Sequence, residues 1–187
     1  MIERTLILIK HDGVYRCLIG EIVKRFESVG LKIVGMKMVW ADENLASNHY
    51  QITPEWAKSV AEKTKKAYIE KGVELKESDM QIAKKIQNMN SKFLREGPVI
   101  AIVFEGPHAI EICRKIVGHT EPRQALPGTI RGDLALESYQ LGDIKQRSVR
   151  NLIHASSDVK EAKREIELWF TQDEIHPYEN IHDKHIK

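Results

Sequence analysis

The first apolar run of the chain, "TLILIK" from Thr5, is short and unbroken, the pattern of a buried strand. The period then changes. In "CLIGEIVKRFESVG" the residues Leu18, Ile19, Ile22, Val23, Phe26 and Val29 recur on one helical face, and Gly30 supplies a stop. From Leu31, "LKIVGMKMVW" returns to β-forming residues with two lysines among apolar neighbours, which predicts a second strand. Asp42 can then cap a short helix that runs to Tyr50. A third strand, "PVIAIVFEG" from Pro98, leads into a helix that carries Ala109, Ile112, Cys113 and Ile116 and stops at Gly118. "GDLALES" reads as a fourth strand. The last long helix starts near Asp158, where Asp158 and Glu161 form a capping-box-like pair, and it buries Val159, Ala162, Ile166 and Trp169.

Between Thr53 and Glu96 the strand pattern lapses. Pro54 opens one helix with an apolar line through Trp56, Val60 and Tyr68 and a stop at Gly72. Ser78 and Gln81 form a capping box for the next, in which Ile82, Ile86, Met89 and Phe93 recur before Gly97. The whole predicts an α+β fold, a four-stranded sheet covered by helices, with a helical hairpin over residues 53–96. The lysines of the hairpin read as a solvated face.

Composition narrows the class. A chain of 187 residues suits one domain, 1–187, with one good core. No apolar run approaches the roughly 20 residues of a membrane span. "MIERT" leads directly into a strand, without the basic and apolar regions of a secretory signal, so a cytoplasmic location is expected. Cys17 and Cys113 are the two cysteines, which leaves no disulfide framework and no Cys-x-x-Cys metal site. The formal net charge of +2 attracts polyanions only mildly, so nucleic acid is not required and phosphates are not excluded.

The phosphate cradles with a glycine-rich signature are absent: there is no G-x-x-x-x-G-K-[ST] and no G-x-G-x-x-G opening a helix. A nucleotide would have to be held by cations at loops and element ends, for which Lys10, Arg114 and Arg131 are candidates. Taken singly, each reads more readily as a surface salt-bridge partner. His154, in "RNLIHASSD" just before the last helix, is one of eight histidines, and its position alone does not assign it a role.

Taken jointly and in order, "ERTLILIKHDGV", "LIGEIVKRFESVGLKIVGMKMV", "NHY", "GPVIAIVFEG", "PGTIRGD", "RNLIHASSD" and "AKREIELWF" resemble the nucleoside diphosphate kinase family. The likeness spans nearly the whole chain apart from the hairpin, and "PGTIRGD" with "NLIHAS" is its most specific part. The resemblance implies a ferredoxin-like antiparallel four-stranded sheet and transfer of a γ-phosphate from ATP or another nucleoside triphosphate to a nucleoside diphosphate. It further implies a phosphorylated histidine at His154, held by Glu165. Phosphate and nucleotide contacts fall on Lys10, Tyr50, Arg114, Thr120, Arg131 and Asn151, with Ser156 two residues after the nucleophile. Magnesium is expected on the nucleotide phosphates, and the family forms hexamers or tetramers.

These positions also make physical sense. An imidazole neutral near pH 7 can attack phosphorus, and the helix that follows offers backbone donors. Glu165, two turns into that helix, can reach back to fix the ring, although taken alone such a residue reads as an exposed glutamate paired with a lysine or arginine at helical spacing. For Tyr50 taken alone, core packing is the default reading.

The chain departs from the family pattern in several places. Lys10-His11-Asp12 stands where the family has Lys-Pro-Asp, Ala155 follows the nucleophile in place of glycine, and Ser157 replaces an aspartate. The connection from Asp133 to Asn151 is longer than usual. The hairpin replaces the segment bearing the base-stacking phenylalanine, which leaves Trp56 and Phe93 as candidates for that role. The alternatives to a kinase are a nucleotide-binding regulator without turnover and a nucleic-acid-binding module. The second would need exposed aromatics on the sheet, and the strands do not clearly offer them.

Overall fold

A computed structural model describes residues 2–69, 72–73 and 75–186. Strand β1 (Ile2–Ile9) buries Thr5, Leu6, Ile7, Leu8 and Ile9 in succession. An unbroken buried run requires cover on both faces of the sheet, and helices supply it. β1 runs antiparallel to the other long central strand, β3 (Val99–Pro107), from Ile2 opposite Pro107 to Ile9 opposite Ile100. β2 (Lys32–Val39) lines the outer side of β3, and the short β4 (Ile153–Ala155) lines the outer side of β1. The order is β2-β3-β1-β4, with every pairing antiparallel.

On one face Ile7, Ile9, Ile100, Ile102 and Phe104 pack with residues of two helices. Ile22 and Phe26 come from α2 (Ile19–Glu27), and Cys113 and Val117 come from α6 (Ala109–Val117). On the other, Leu6, Leu8, Ala101 and Val103 meet α3 (Glu43–His49), α5 (Asp79–Leu94) and α9 (Val159–Trp169) through Ala46, Leu94 and Trp169. Each such side chain, fully buried, contributes about 1.5 to 3 kcal/mol over exposure. Two short helices lie near the strand ends in the chain: α1 (His11–Val14) directly after β1, and α7 (Ile130–Leu134) after the loop that follows α6.

The hairpin forms as the pattern predicts, from α4 (Pro54–Ile69) and α5, with the Ser78–Gln81 capping box in place and Gly72 at a positive φ of 74°. α5 is the inner helix, and Gln87 on it donates to the Tyr50 carbonyl at 3.0 Å. The Asp42 and Asp158 caps are also present, each accepting from a backbone N–H three residues on.

Three expectations fail. "GDLALES" is not a strand: Thr129 caps α7 by accepting from Gly132 N at 3.1 Å, so Gly132–Leu134 turn helically, and Leu136 is 96% exposed with no sheet beneath it. The fourth strand is β4, too short to show an alternation. Val159 is exposed at the first turn of α9, and Val29 is exposed because α2 ends at Glu27. A further helix, α8 (Tyr139–Ile144), fills the long connection before β4.

Gly132 is required by close approach, since a Cβ there would lie 2.1 Å from the Leu126 carbonyl oxygen. Gly132→Ala should cost about 1 to 3 kcal/mol, the usual range for overpacking. Urea unfolding tests this, and an unchanged midpoint would show that the loop from Leu126 yields freely.

Candidate active site

β4 is three residues long, so its place is set by anchors rather than by strand pairing alone. Lys10 N donates to the Leu152 carbonyl at 2.8 Å, and Leu152 N donates to Asp12 Oδ2 at 3.1 Å. The Arg131 guanidinium donates to the carbonyls of Asn151 at 3.1 Å, Ile153 at 2.6 Å and Gly118 at 3.0 Å. Together these hold Leu152 at φ 65°, a left-handed conformation that a branched residue adopts only when its surroundings impose it. Two residues later His154 lies opposite Leu8 of β1.

The His154 side chain is 19% exposed, so one edge of the ring is open to a reactant. The other edge is held: Nε2 lies 2.9 Å from Glu165 Oε2, which also accepts from Ser156 Oγ at 2.6 Å. Glu165 is 1% exposed, and burial raises its pKa against the opposing influence of His49, Ser156 and Arg164. For His154, burial pushes the pKa well below the ordinary histidine range. Glu161 opposes this, and Lys10, Arg131 and Arg114 reinforce it. The imidazole is therefore neutral, and with Nε2 tied to Glu165 its Nδ1 is the free nucleophilic nitrogen.

The predicted cations converge. Lys10 Nζ donates to Asn151 Oδ1 at 2.8 Å, and Asn151 Nδ2 donates to the Thr120 carbonyl at 2.9 Å. Burial, with Arg131 beside it and Asp12 opposing, lowers the Lys10 pKa to about 8, and burial lowers that of Arg131 to about 10. Arg114 Nη1 approaches the Ala155 carbonyl at 3.5 Å. Tyr50 ends α3, where burial, Glu165 and Asp12 raise its pKa and keep the phenol protonated as a donor. Thr120 joins through its backbone carbonyl, with its side chain exposed. None of the three cations has a carboxylate within salt-bridge distance among the described residues. An anion could complete them.

The two aromatic candidates of the hairpin separate. Phe93 is 3% exposed, packs on the His11 ring at 4.5 Å and lies under Lys10 Nζ at 5.6 Å, which leaves it no free face for a base. Trp56 is half-buried on the outer helix α4. A cavity of about 690 Å³ lined by His11, Tyr15, Arg16, Leu136 and Arg150 includes neither His154 nor its cations, so converging chemistry locates the site and volume does not.

Two residues of this site lie in the quoted motifs without a role assigned to them there. Asp12 holds the Leu152 backbone, and His49 contacts Glu165 at 3.3 Å. His49 could have been noticed as a polar residue three positions from Ala46, on the face that α3 buries. Among the described residues, the cluster able to offer three metal-ligating groups is His49, His154 and Glu165, and these already engage one another. A carboxylate cage for a hard cation is not built here.

The family model described as nucleoside diphosphate kinase matches residues 3–73 and 79–175, a span that takes in both helices of the hairpin. A nucleoside diphosphate kinase of Pyrobaculum aerophilum is 41% identical over 179 residues, covering 93% of this chain and 98% of that protein. One from Pyrococcus furiosus is 41% identical over 177 residues, covering 95% and 88%. The solved Pyrobaculum aerophilum structure superposes with a TM-score of 0.90 at 40% identity, covering 95% of this chain and all of that one. A Borrelia burgdorferi nucleoside-diphosphate kinase, solved as a transition state mimic with vanadate and ADP, superposes at 0.81 with 37% identity, covering 98% and 96%.

Because Arg131 satisfies three carbonyls around β4, Arg131→Met should destabilise the fold itself, by on the order of 3 kcal/mol. Guanidinium unfolding checks this, and a midpoint equal to the wild type would reduce Arg131 to a ligand-binding group alone.

Proposed function

The chain belongs to the nucleoside diphosphate kinase family, and from that premise we propose that it moves the γ-phosphate of a nucleoside triphosphate to a nucleoside diphosphate through a phosphohistidine on His154. The observation that carries this reading is the neutral imidazole tied by Nε2 to buried Glu165 amid three cations that lack carboxylate partners. In the first half-reaction the Nδ1 lone pair attacks the γ-phosphorus, the bond to the β,γ-bridging oxygen breaks, and the diphosphate leaves. In the second, a β-phosphate oxygen of the acceptor attacks the same phosphorus and the N–P bond breaks. ATP, GDP and the other nucleoside tri- and diphosphates are the substrates on this reading.

The protein's part is positioning and charge stabilisation, the main sources of rate in phosphoryl transfer. Lys10, Arg114 and Arg131 face the phosphoryl oxygens, Tyr50 and Thr120 donate to phosphate, Asn151 holds Lys10 and the sugar, and Ser156 fixes Glu165. A divalent cation, proposed to be magnesium, would neutralise charge on the phosphates when bound. It would be held through them and through water, in keeping with a site lined by cations and lacking a carboxylate cage.

No helix among the described residues is long and apolar enough to cross a membrane, and the same reading puts the chain in the cytoplasm as a single domain. A homo-oligomer, hexamer or tetramer, is supported by β2, a sheet edge on which Met36 and Met38 are exposed, with Trp40 exposed just past its end.

Incubation with γ-labelled ATP should label the protein with an alkali-stable, acid-labile phosphate that GDP then removes, and His154→Ala should abolish both steps. Turnover by ping-pong kinetics in that variant would overturn the reading. The free enzyme should also lose kcat/KM as pH rises through about 8, because Lys10 is charged below that value and neutral above it. Lys10→Arg should remove this alkaline limb, and its persistence would assign the limb to another group.

A further inference from the structure

The chemistry above uses Glu165 to hold the nucleophile and leaves a second buried titratable group unexplained. His49, the last residue of α3, exposes none of its side chain. An apolar residue would fill that space, but it would leave the Trp169 indole N–H and the buried Glu165 carboxylate without this partner. The imidazole also keeps Nε2 buried with no hydrogen-bond partner, a feature that folded proteins rarely retain without a use for it.

Its surroundings indicate the use. The His49 ring meets the His154 ring edge to face, with centroids 4.5 Å apart and planes at 83°. Trp169 Nε1 donates to His49 Nδ1 at 3.3 Å, and the indole packs across it at 87°. An indole N–H can only donate, so toward Trp169 Nδ1 acts as acceptor, and the same Nδ1 lies 3.3 Å from Glu165 Oε1. Burial, joined by His154, Lys10 and Arg164 and opposed by Glu165, keeps His49 neutral. Arg164 donates to the Asn48 and His49 carbonyls at 2.8 and 3.1 Å, which fixes the end of α3 against α9. Glu165 and Trp169 lie one turn apart on α9. One helix face thus reaches His154 twice, directly through the carboxylate and again through His49.

We infer that His49 is a positioning residue for phosphotransfer: its ring walls the face of His154 and keeps Nε2 on Glu165 and Nδ1 free for phosphorus. The inference rests on His154 as phosphoacceptor. The χ2 torsion of an imidazole is broad and roughly two-fold, so a carboxylate alone also accepts a flipped ring, with Nδ1 bound and Nε2 outward. A neighbour wedged edge-on against the ring face removes the room for that flip. His49 is fully buried, and it acts through the two side chains it contacts, His154 and Glu165.

Rapid-quench labelling by γ-labelled ATP at saturating nucleotide, combined with 15N NMR of the His154 ring, tests this. In His49→Ala the labelling rate constant should fall about tenfold or more, the direction expected when a reacting atom is misplaced by less than 1 Å. The affinity for ADP should stay within about threefold, because no binding contact is removed. The His154 ring should change from the single Nε2–H tautomer of the wild type to a mixture. His49→Phe restores the wall without the nitrogens and should recover the single tautomer and a rate within about threefold of the wild type. A wild-type labelling rate with one tautomer in His49→Ala overturns the inference, as does a His49→Phe variant as slow as His49→Ala. Rates are read well below each thermal midpoint, and His49→Val takes the place of an alanine variant that does not fold. Absence of alkali-stable label in the wild type would instead defeat the assignment of His154.

Discussion

A carboxylate taken out of water must be paired and hydrogen-bonded, or it forfeits its charge, and the Glu165 side chain is almost wholly buried. Its donors are Ser156 Oγ and His154 Nε2, both at the β4 end of the chain, so α9 can dock only where it meets them. Ser156 also bonds the backbone of Leu6, its Oγ accepting from Leu6 N at 3.3 Å, which ties the same carboxylate to the central strand. The Asp158 cap turns the chain immediately after Ser157 and brings Glu165 back over the strand that precedes it. Removing either donor would leave a buried charge undercompensated. The docking of α9, the short β4 and the orientation of the nucleophile are thus one requirement.

The cations obey a different rule. Lys10 is held by an amide oxygen and Arg131 by backbone carbonyls, acceptors that fix a side chain without cancelling its charge. The cost appears as lowered pKa values, to about 8 for Lys10 and about 10 for Arg131. Charges fixed in this way need no reorganisation when negative charge develops beside them, which is the condition for electrostatic catalysis. Burial keeps His154 neutral, and the same arrangement adds to it, since each nearby cation disfavours protonating the ring. Nucleophile and phosphate site are tuned by one set of charges, and an anion that occupies the site relieves their mutual repulsion. Ligand that binds only the folded chain also stabilises it.

The long elements were legible in the sequence because each carries a sustained period. β1 and β3 are unbroken apolar runs, α2 and α5 repeat at helical spacing, and the caps at Asp42, Ser78 and Asp158 mark starts with side chains that do cap. β4 was not legible, because three residues show no period and its place is enforced by Arg131, Lys10 and Asp12 from elsewhere in the chain. "GDLALES" alternated like a strand, but the Thr129 cap and the tight approach at Gly132 wound its start into α7. In the site, Lys10, His154 and Glu165 were readable from motifs. The roles of His49 and Asp12 were not, since each acts by a contact across distant parts of the chain, with Glu165 in one case and Leu152 N in the other.

The histidine that follows Lys10 shows how such a site keeps its geometry without the rigid turn a proline would supply. His11 is buried with its ring against Phe93 at 4.5 Å and Tyr15 at 5.6 Å, and its Nε2 lies 3.5 Å from Glu96. Gly97 permits this crowding, since a Cβ there would lie 2.8 Å from the His11 Cβ and 2.4 Å from the Tyr15 hydroxyl. Packing at the end of α5 therefore does what a fixed φ would do, and it places Phe93 beneath Lys10 as well. The backbone does the rest: Lys10 N on the Leu152 carbonyl and Leu152 N on Asp12 close a two-point clasp between the end of β1 and the start of β4. A turn fixed by proline is rigid by covalent constraint. Here the rigidity comes from the hairpin, so the helices outside the sheet help to set where the Lys10 ammonium stands relative to His154.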